Sequence, residues 1–146
     1  KVVGHVALIQ SVGSLELLEE IQRVAAARDV VQDILLEVNI GEEEAKSGFL
    51  PGDLFQAAQA AKELTHVRVR GLMAIPPVES EEHGSVPFFE KMYRFYVDIN
   101  EKLYDNEFVY LSMGMSGDFA DAIRCGANMV RVGTAIFGAR NYGQTN

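Results

Sequence analysis

Short apolar runs alternate with amphipathic stretches along this chain, and that alternation predicts strand–helix units from one end to the other. Val6–Val12 reads as a first strand closed by Gly13. Ser14 is suited to cap a helix running to about Arg28, with Leu15, Leu18, Ile21 and Ala25 on its buried face. Ile34–Ile40 is the next strand, stopped at Gly41 and followed by a polar loop over Glu42–Gly48. Pro51 and Asp53 open a second helix with Leu54, Ala58, Ala61 and Leu64 or Thr65 on one stripe. Val67–Ile75 predicts a third strand, which Pro76 and Pro77 end because proline cannot continue a hydrogen-bonded ladder. Glu79–Ser85 reads as a charged loop, and Phe88 to about Tyr104 as a long amphipathic helix. Phe108–Met113, Phe119–Cys125 and Met129–Val132 then read as strand, short helix and strand. No linker or low-complexity segment interrupts this order, so residues 1–146 read as one domain.

Regular alternation of this kind predicts an α/β fold with a parallel sheet and right-handed crossovers. An open doubly wound sheet and a closed (β/α)8 TIM barrel both satisfy it. A dinucleotide-binding sheet would show Gly-x-Gly-x-x-Gly after its first strand, and that pattern is absent. The glycine-rich turns follow the last two predicted strands instead, where barrels commonly bind phosphate. The reading is therefore a partial barrel, because five predicted strands fall about three short of the eight a closed barrel needs.

Charge and composition remove several function classes. A net charge of −8 argues against nucleic acid and anionic lipid as partners. No apolar run approaches the length of a membrane-spanning helix, and Lys1–His5 does not lead into a signal-peptide pattern. The single Cys125 excludes an internal disulfide and fits a reducing cytoplasm. Three dispersed histidines and one cysteine show no metal-ligand spacing. His66 and His83 fall in predicted loops with no catalytic role expected, and no Ser-His-Asp pattern is recognisable.

The candidate chemistry lies in the last third. Tyr110–Asp118 (YLSMGMSGD) predicts a strand, a Gly/Ser turn and a helix start, and Arg131–Gly138 (RVGTAIFG) repeats the design with Gly133 and Thr134. Hydroxyls and free turn N–H groups on consecutive strand ends suit a shared phosphate. The plainer alternative is that Ser116 and Asp118 only cap the helix starting near Phe119. Arg131 falls on a buried strand and needs a partner, either a structural carboxylate such as Glu37 or a ligand. Met73, Met113 and Met115 read as core or pocket lining, and Asn39 as a turn residue or a polar pocket group. The Glu42–Glu44 run reads as a solvated loop, with Lys46-Ser47-Gly48 placed to close over a site.

Those motifs, together with Val38-Asn39-Ile40-Gly41-Glu42, Lys46-Ser47-Gly48-Phe49, Gly71-Leu72-Met73-Ala74-Ile75 and the run to Arg140, closely resemble the YggS-like pyridoxal-phosphate homeostasis proteins. These are single-domain relatives of the alanine racemase barrel, and the resemblance covers essentially the whole chain. It implies strands 4 to 8 of a (β/α)8 barrel, with Ile9–Val12 as the fourth. It also implies pyridoxal 5′-phosphate as cofactor, with Ser116, Gly133 and Thr134 on the phosphate, Arg131 facing the pyridine nitrogen and Met73 near the ring. The family's Schiff-base lysine lies on its first strand. The lysines here are Lys1, Lys46, Lys62, Lys91 and Lys102, none within a predicted strand, so no catalytic residue is expected. The implied function is non-enzymatic cofactor binding in cofactor and amino-acid homeostasis. The alternatives are a racemase-like enzyme and a barrel fragment serving as an interaction scaffold. Two unpaired strand edges further predict self-association or a complementing N-terminal fragment.

Overall fold

The computed structural model describes residues 1–77 and 84–138. Among the described residues five strands and five helices alternate: β1 (Ile9–Val12), α1 (Leu15–Ala27), β2 (Gln32–Val38), α2 (Leu54–Lys62), β3 (Val67–Ala74), α3 (Val86–Leu103), β4 (Tyr110–Met115), α4 (Phe119–Arg124), β5 (Met129–Arg131) and α5 (Thr134–Phe137). The strands form one all-parallel sheet in the order β1-β2-β3-β4-β5, curled into a half-barrel. Most of the charged loop expected over Glu79–Ser85, with His83, lies outside the described residues, as does everything beyond Gly138. No helix among the described residues is long and apolar enough to cross a membrane.

Register across the sheet separates two layers. Leu36, Leu72 and Leu111 align across β2, β3 and β4 and are fully buried. Glu37, Met73 and Ser112 form the next row, and because successive strand residues alternate faces, they occupy the opposite side. The helices contribute Leu18, Ile21 and Ala25 from α1, Leu54, Ala57, Ala58 and Ala61 from α2, and Phe89, Met92 and Ile99 from α3 to a single core. Each large aliphatic side chain fully buried there is worth about 1.5–3 kcal/mol relative to exposure.

The expected α1 start is observed: Ser14 Oγ accepts from the Leu17 N–H at 3.2 Å. Leu15, expected on the buried face, is 46 % exposed. It is the first helical residue, and the buried stripe begins one turn later at Leu18. The fourth strand ends at Met115 rather than Met113, and it passes through Gly114 at φ +93°, a positive-φ conformation that glycine adopts without strain. A side chain at Gly114 would place its Cβ 2.5 Å from the Ala122 Cβ, so glycine lets α4 lie close against β4.

Candidate functional site

Ser116 and Gly133 stand at the exits of β4 and β5, so parallel pairing of those strands brings their two turns together. The Ser116 hydroxyl oxygen accepts the Gly133 N–H at 3.3 Å and the Ala135 N–H at 3.2 Å. Ser116 therefore ties the second turn down instead of capping the helix that follows it. Asp118 does not cap α4 either; its Oδ1 accepts the Met115 N–H at 2.8 Å and braces the first turn. With two incoming bonds on its oxygen, Ser116 keeps one hydroxyl proton to donate. Thr134 is exposed and lines the same cleft as Ser116. A Cβ added at Gly117 or Gly133 would meet no atom within 4 Å, so both turns border open space rather than packed protein. That space is a cleft of about 740 Å³ lined by Ser116, Gly117, Arg131, Gly133 and Thr134 among others.

Arg131 enters the same cleft from β5, held at two points. Its Nη1 donates to Ser112 Oγ at 2.6 Å, and its Nη2 donates to the Ala74 carbonyl at 3.0 Å. Ser112 in turn donates to Gln10 Oε1 at 2.7 Å, linking β1 to β4. The carboxylate partner considered for Arg131 is absent: among the described residues it makes no ion pair, and Glu37 instead accepts the Ser47 hydroxyl at 3.0 Å. Burial pushes the Arg131 guanidinium below its ordinary range, and the fields of Glu37 and Asp118 oppose that push. An arginine starts high enough to stay charged. The cleft is thus lined by a fixed cation, Arg131, and by the neutral hydroxyl residues Ser116 and Thr134.

The model for the alanine racemase N-terminal domain matches residues 1–141. The chain belongs to that family. It is 43 % identical over 96 % of its length to a pyridoxal phosphate homeostasis protein of Aquifex aeolicus, covering 61 % of that relative. The chain thus spans about 60 % of the length of such curated relatives. Among solved structures it superposes on PipY of Synechococcus elongatus without pyridoxal phosphate with TM-score 0.85 at 31 % identity, covering 94 % of this chain and 64 % of the other. The pyridoxal-phosphate-bound form of PipY gives TM-score 0.82 at 30 % identity, covering 94 % and 63 %. Alanine racemase of Clostridium difficile shares the fold, with TM-score 0.72 at 18 % identity over 92 % of this chain and 35 % of that one.

Within this racemase-family sheet the remaining candidates are distributed unevenly. Met73 is buried in β3 in register with Ser112 and is not among the cleft-lining residues. Met113 is buried as well, while Met115 is exposed and lines the cleft. Asn39 is a turn residue: its Nδ2 donates to the Glu43 carbonyl at 2.8 Å and its Oδ1 accepts the Glu43 N–H at 3.1 Å. Lys46 pairs with Glu43, Lys62 donates to the Leu103 carbonyl, and Lys91 and Lys102 face Glu42 and Asp98. None of these lysines lines the cleft. The polar link from Gln10 to Ser112 was invisible in the sequence, because the two residues are 102 positions apart and neither belongs to a motif with the other.

Proposed function

We propose that this chain binds pyridoxal 5′-phosphate non-covalently in the β4–β5 cleft and serves cofactor and amino-acid homeostasis without strong catalysis of its own. The observation that carries this reading is the orientation of Ser116. Two backbone donors occupy its oxygen, which leaves its proton free for another acceptor, and the two glycine turns beside it have an open side that a phosphate would fill. That donor set fits a phosphate dianion. Ser116, Gly133 and Thr134 would hold the phosphate, Arg131 would donate to the ring nitrogen, and Met73, in the strand row beside Ser112, is the expected neighbour of the ring. When bound, the cofactor supplies an aldehyde and an electron-withdrawing ring. Arg131 cannot surrender its proton to that ring, which keeps the nitrogen unprotonated and the ring a weak electron sink. With no lysine of this chain in the cleft, retention would rest on the phosphate and the ring contacts alone.

The homeostasis role accords with the names of the curated relatives and the bound cofactor of PipY. A cytoplasmic setting accords with the one free cysteine and the absence of a membrane-spanning helix among the described residues. We also infer that the two sheet edges, β1 and β5, pair with a second copy or with a complementing N-terminal fragment. The outward-facing Ile136 and Phe137 beside β5 support that inference.

The deciding experiment titrates the chain with pyridoxal 5′-phosphate by absorbance and competes it with inorganic phosphate. Borohydride treatment and peptide mapping follow. Saturable binding, displacement by phosphate and no specifically labelled lysine are expected. Absence of saturable binding, or stoichiometric labelling of one lysine, would overturn the reading. Alanine racemisation with added cofactor is expected to stay at background, and turnover would move the assignment to a racemase-like enzyme.

A further inference from the structure

We infer that Gln10 is a positioning residue for Arg131, acting through the Ser112 hydroxyl across the concave side of the sheet. In a flat sheet β1 and β4 would lie three strand spacings apart, about 14 Å, with their side chains standing parallel. Here Ser112 Oγ and Gln10 Oε1 are 2.7 Å apart, which only a curled sheet permits. The bond has a fixed sense. Arg131 has donors only, so Ser112 must accept from it and must send its own proton elsewhere. Ser112 is fully buried, and an unsatisfied hydroxyl there would be destabilising. Gln10 Oε1 takes that proton, which leaves the Ser112 lone pair aimed at Arg131 Nη1. The Ala74 carbonyl fixes Nη2 from the neighbouring strand. The guanidinium plane is therefore set by three strands besides its own, and removing the Gln10 acceptor frees the serine rotor that orients one of its two anchors. The consequence for a ring at Arg131 rests on the proposed cofactor site; the consequence for the guanidinium itself does not.

Gln10→Leu removes the acceptor at similar size, and Gln10→Met does so with an unbranched chain should the leucine variant not fold. Gln10→Glu keeps an acceptor oxygen for Ser112. In the ligand-free protein, hindered rotation of the Arg131 guanidinium is read from its side-chain NMR signals, assigned with Arg131→Lys. Rotation is expected to speed up several-fold in Gln10→Leu or Gln10→Met and to return toward wild type in Gln10→Glu. Unchanged rotation, with or without a loss of thermal stability, would reduce Gln10 to a packing residue and overturn the inference. In a second arm, the Kd for pyridoxal 5′-phosphate is expected to rise about fivefold in Gln10→Leu, the worth of one modest hydrogen bond, while that for inorganic phosphate stays within about twofold. Equal weakening of both ligands would contradict a role specific to Arg131. Should the wild-type chain bind neither ligand, the cofactor reading fails, and the guanidinium measurement still decides the role of Gln10.

Discussion

β2 and β5 are strands of the same parallel sheet, and they face opposite physical demands. β2 runs seven residues, of which only Asp33 is not buried, and the helix that follows packs Leu54, Ala57, Ala58 and Ala61 beneath the sheet. β5 has three residues, all of them partly exposed, and α5 after it buries none. Stability is concentrated where apolar surface leaves water. The polar groups that suit a ligand gather where the backbone is short, open and held by a few hydrogen bonds. The difference teaches that the cleft is built by the sheet edge but supported from the interior, through Arg131, Ser112 and Gln10.

The most severe test of this division lies at β2. Leu36 is fully buried in the layer shared with Leu72 and Leu111. Leu36→Ala is expected to lose about 3 kcal/mol, or roughly 10 °C in Tm, by thermal unfolding. A loss below about 1 kcal/mol would show that the core is not concentrated there. At the cleft the expectation reverses. Ser116→Ala removes the oxygen that both turns share and should weaken phosphate or pyridoxal-phosphate binding about tenfold by direct titration. Its thermal midpoint should move much less than that of Leu36→Ala, and a larger fall in stability than in affinity would break the comparison.

Tyr104 connects the core to pH. Its hydroxyl donates to the Ala58 carbonyl at 2.7 Å, and burial pushes its pKa well above the ordinary tyrosine range. The folded state thus keeps a proton that the unfolded chain releases near pH ~10. The associated stability is complete below that pH and is lost as pH rises beyond it. Tyr104→Phe should cost about 1 kcal/mol at pH 7 and flatten the alkaline decline in Tm. The same alkaline slope in both proteins would assign that decline to another group. The smallest effect is expected at Phe137, which is 86 % exposed. Phe137→Ser should change the unfolding free energy by no more than about 0.5 kcal/mol. A drop beyond 1 kcal/mol, measured at a dilution where the chain is monomeric, would mean that α5 is stabilised in a way the exposure of Phe137 does not show.

Much of this architecture was legible residue by residue. Ser14 announced the start of α1, the apolar run Ile34–Ile40 announced β2, and paired prolines followed β3. Ser116, Gly133 and Thr134 were recognisable as one group because they sit at the exits of two successive strands, Arg131 joined them only through the family resemblance, and all four line one cleft. What Ser116 bonds to was not legible. A serine before a helix is equally suited to cap it, and only the position of the next turn decides that its oxygen receives Gly133 and Ala135 instead. Arg131 shows the same limit. A buried charge announces the need for partners, yet a serine and a carbonyl from two other strands meet it where a carboxylate was an equal candidate.

By itself, the sequence determined the order of the five strands and the first four helices, the parallel class of the sheet and the family; it did not announce α5, and of the residues it named for the site Met73 does not line the cleft. Apolar periodicity, capping hydroxyls and glycine turns act over a few residues, so they can be read without coordinates. The curl of the sheet was decided only in three dimensions. It is a sum of strand twist and helix packing over the whole chain, and it alone brings Gln10 within 2.7 Å of Ser112 and so sets the direction of the Arg131 guanidinium.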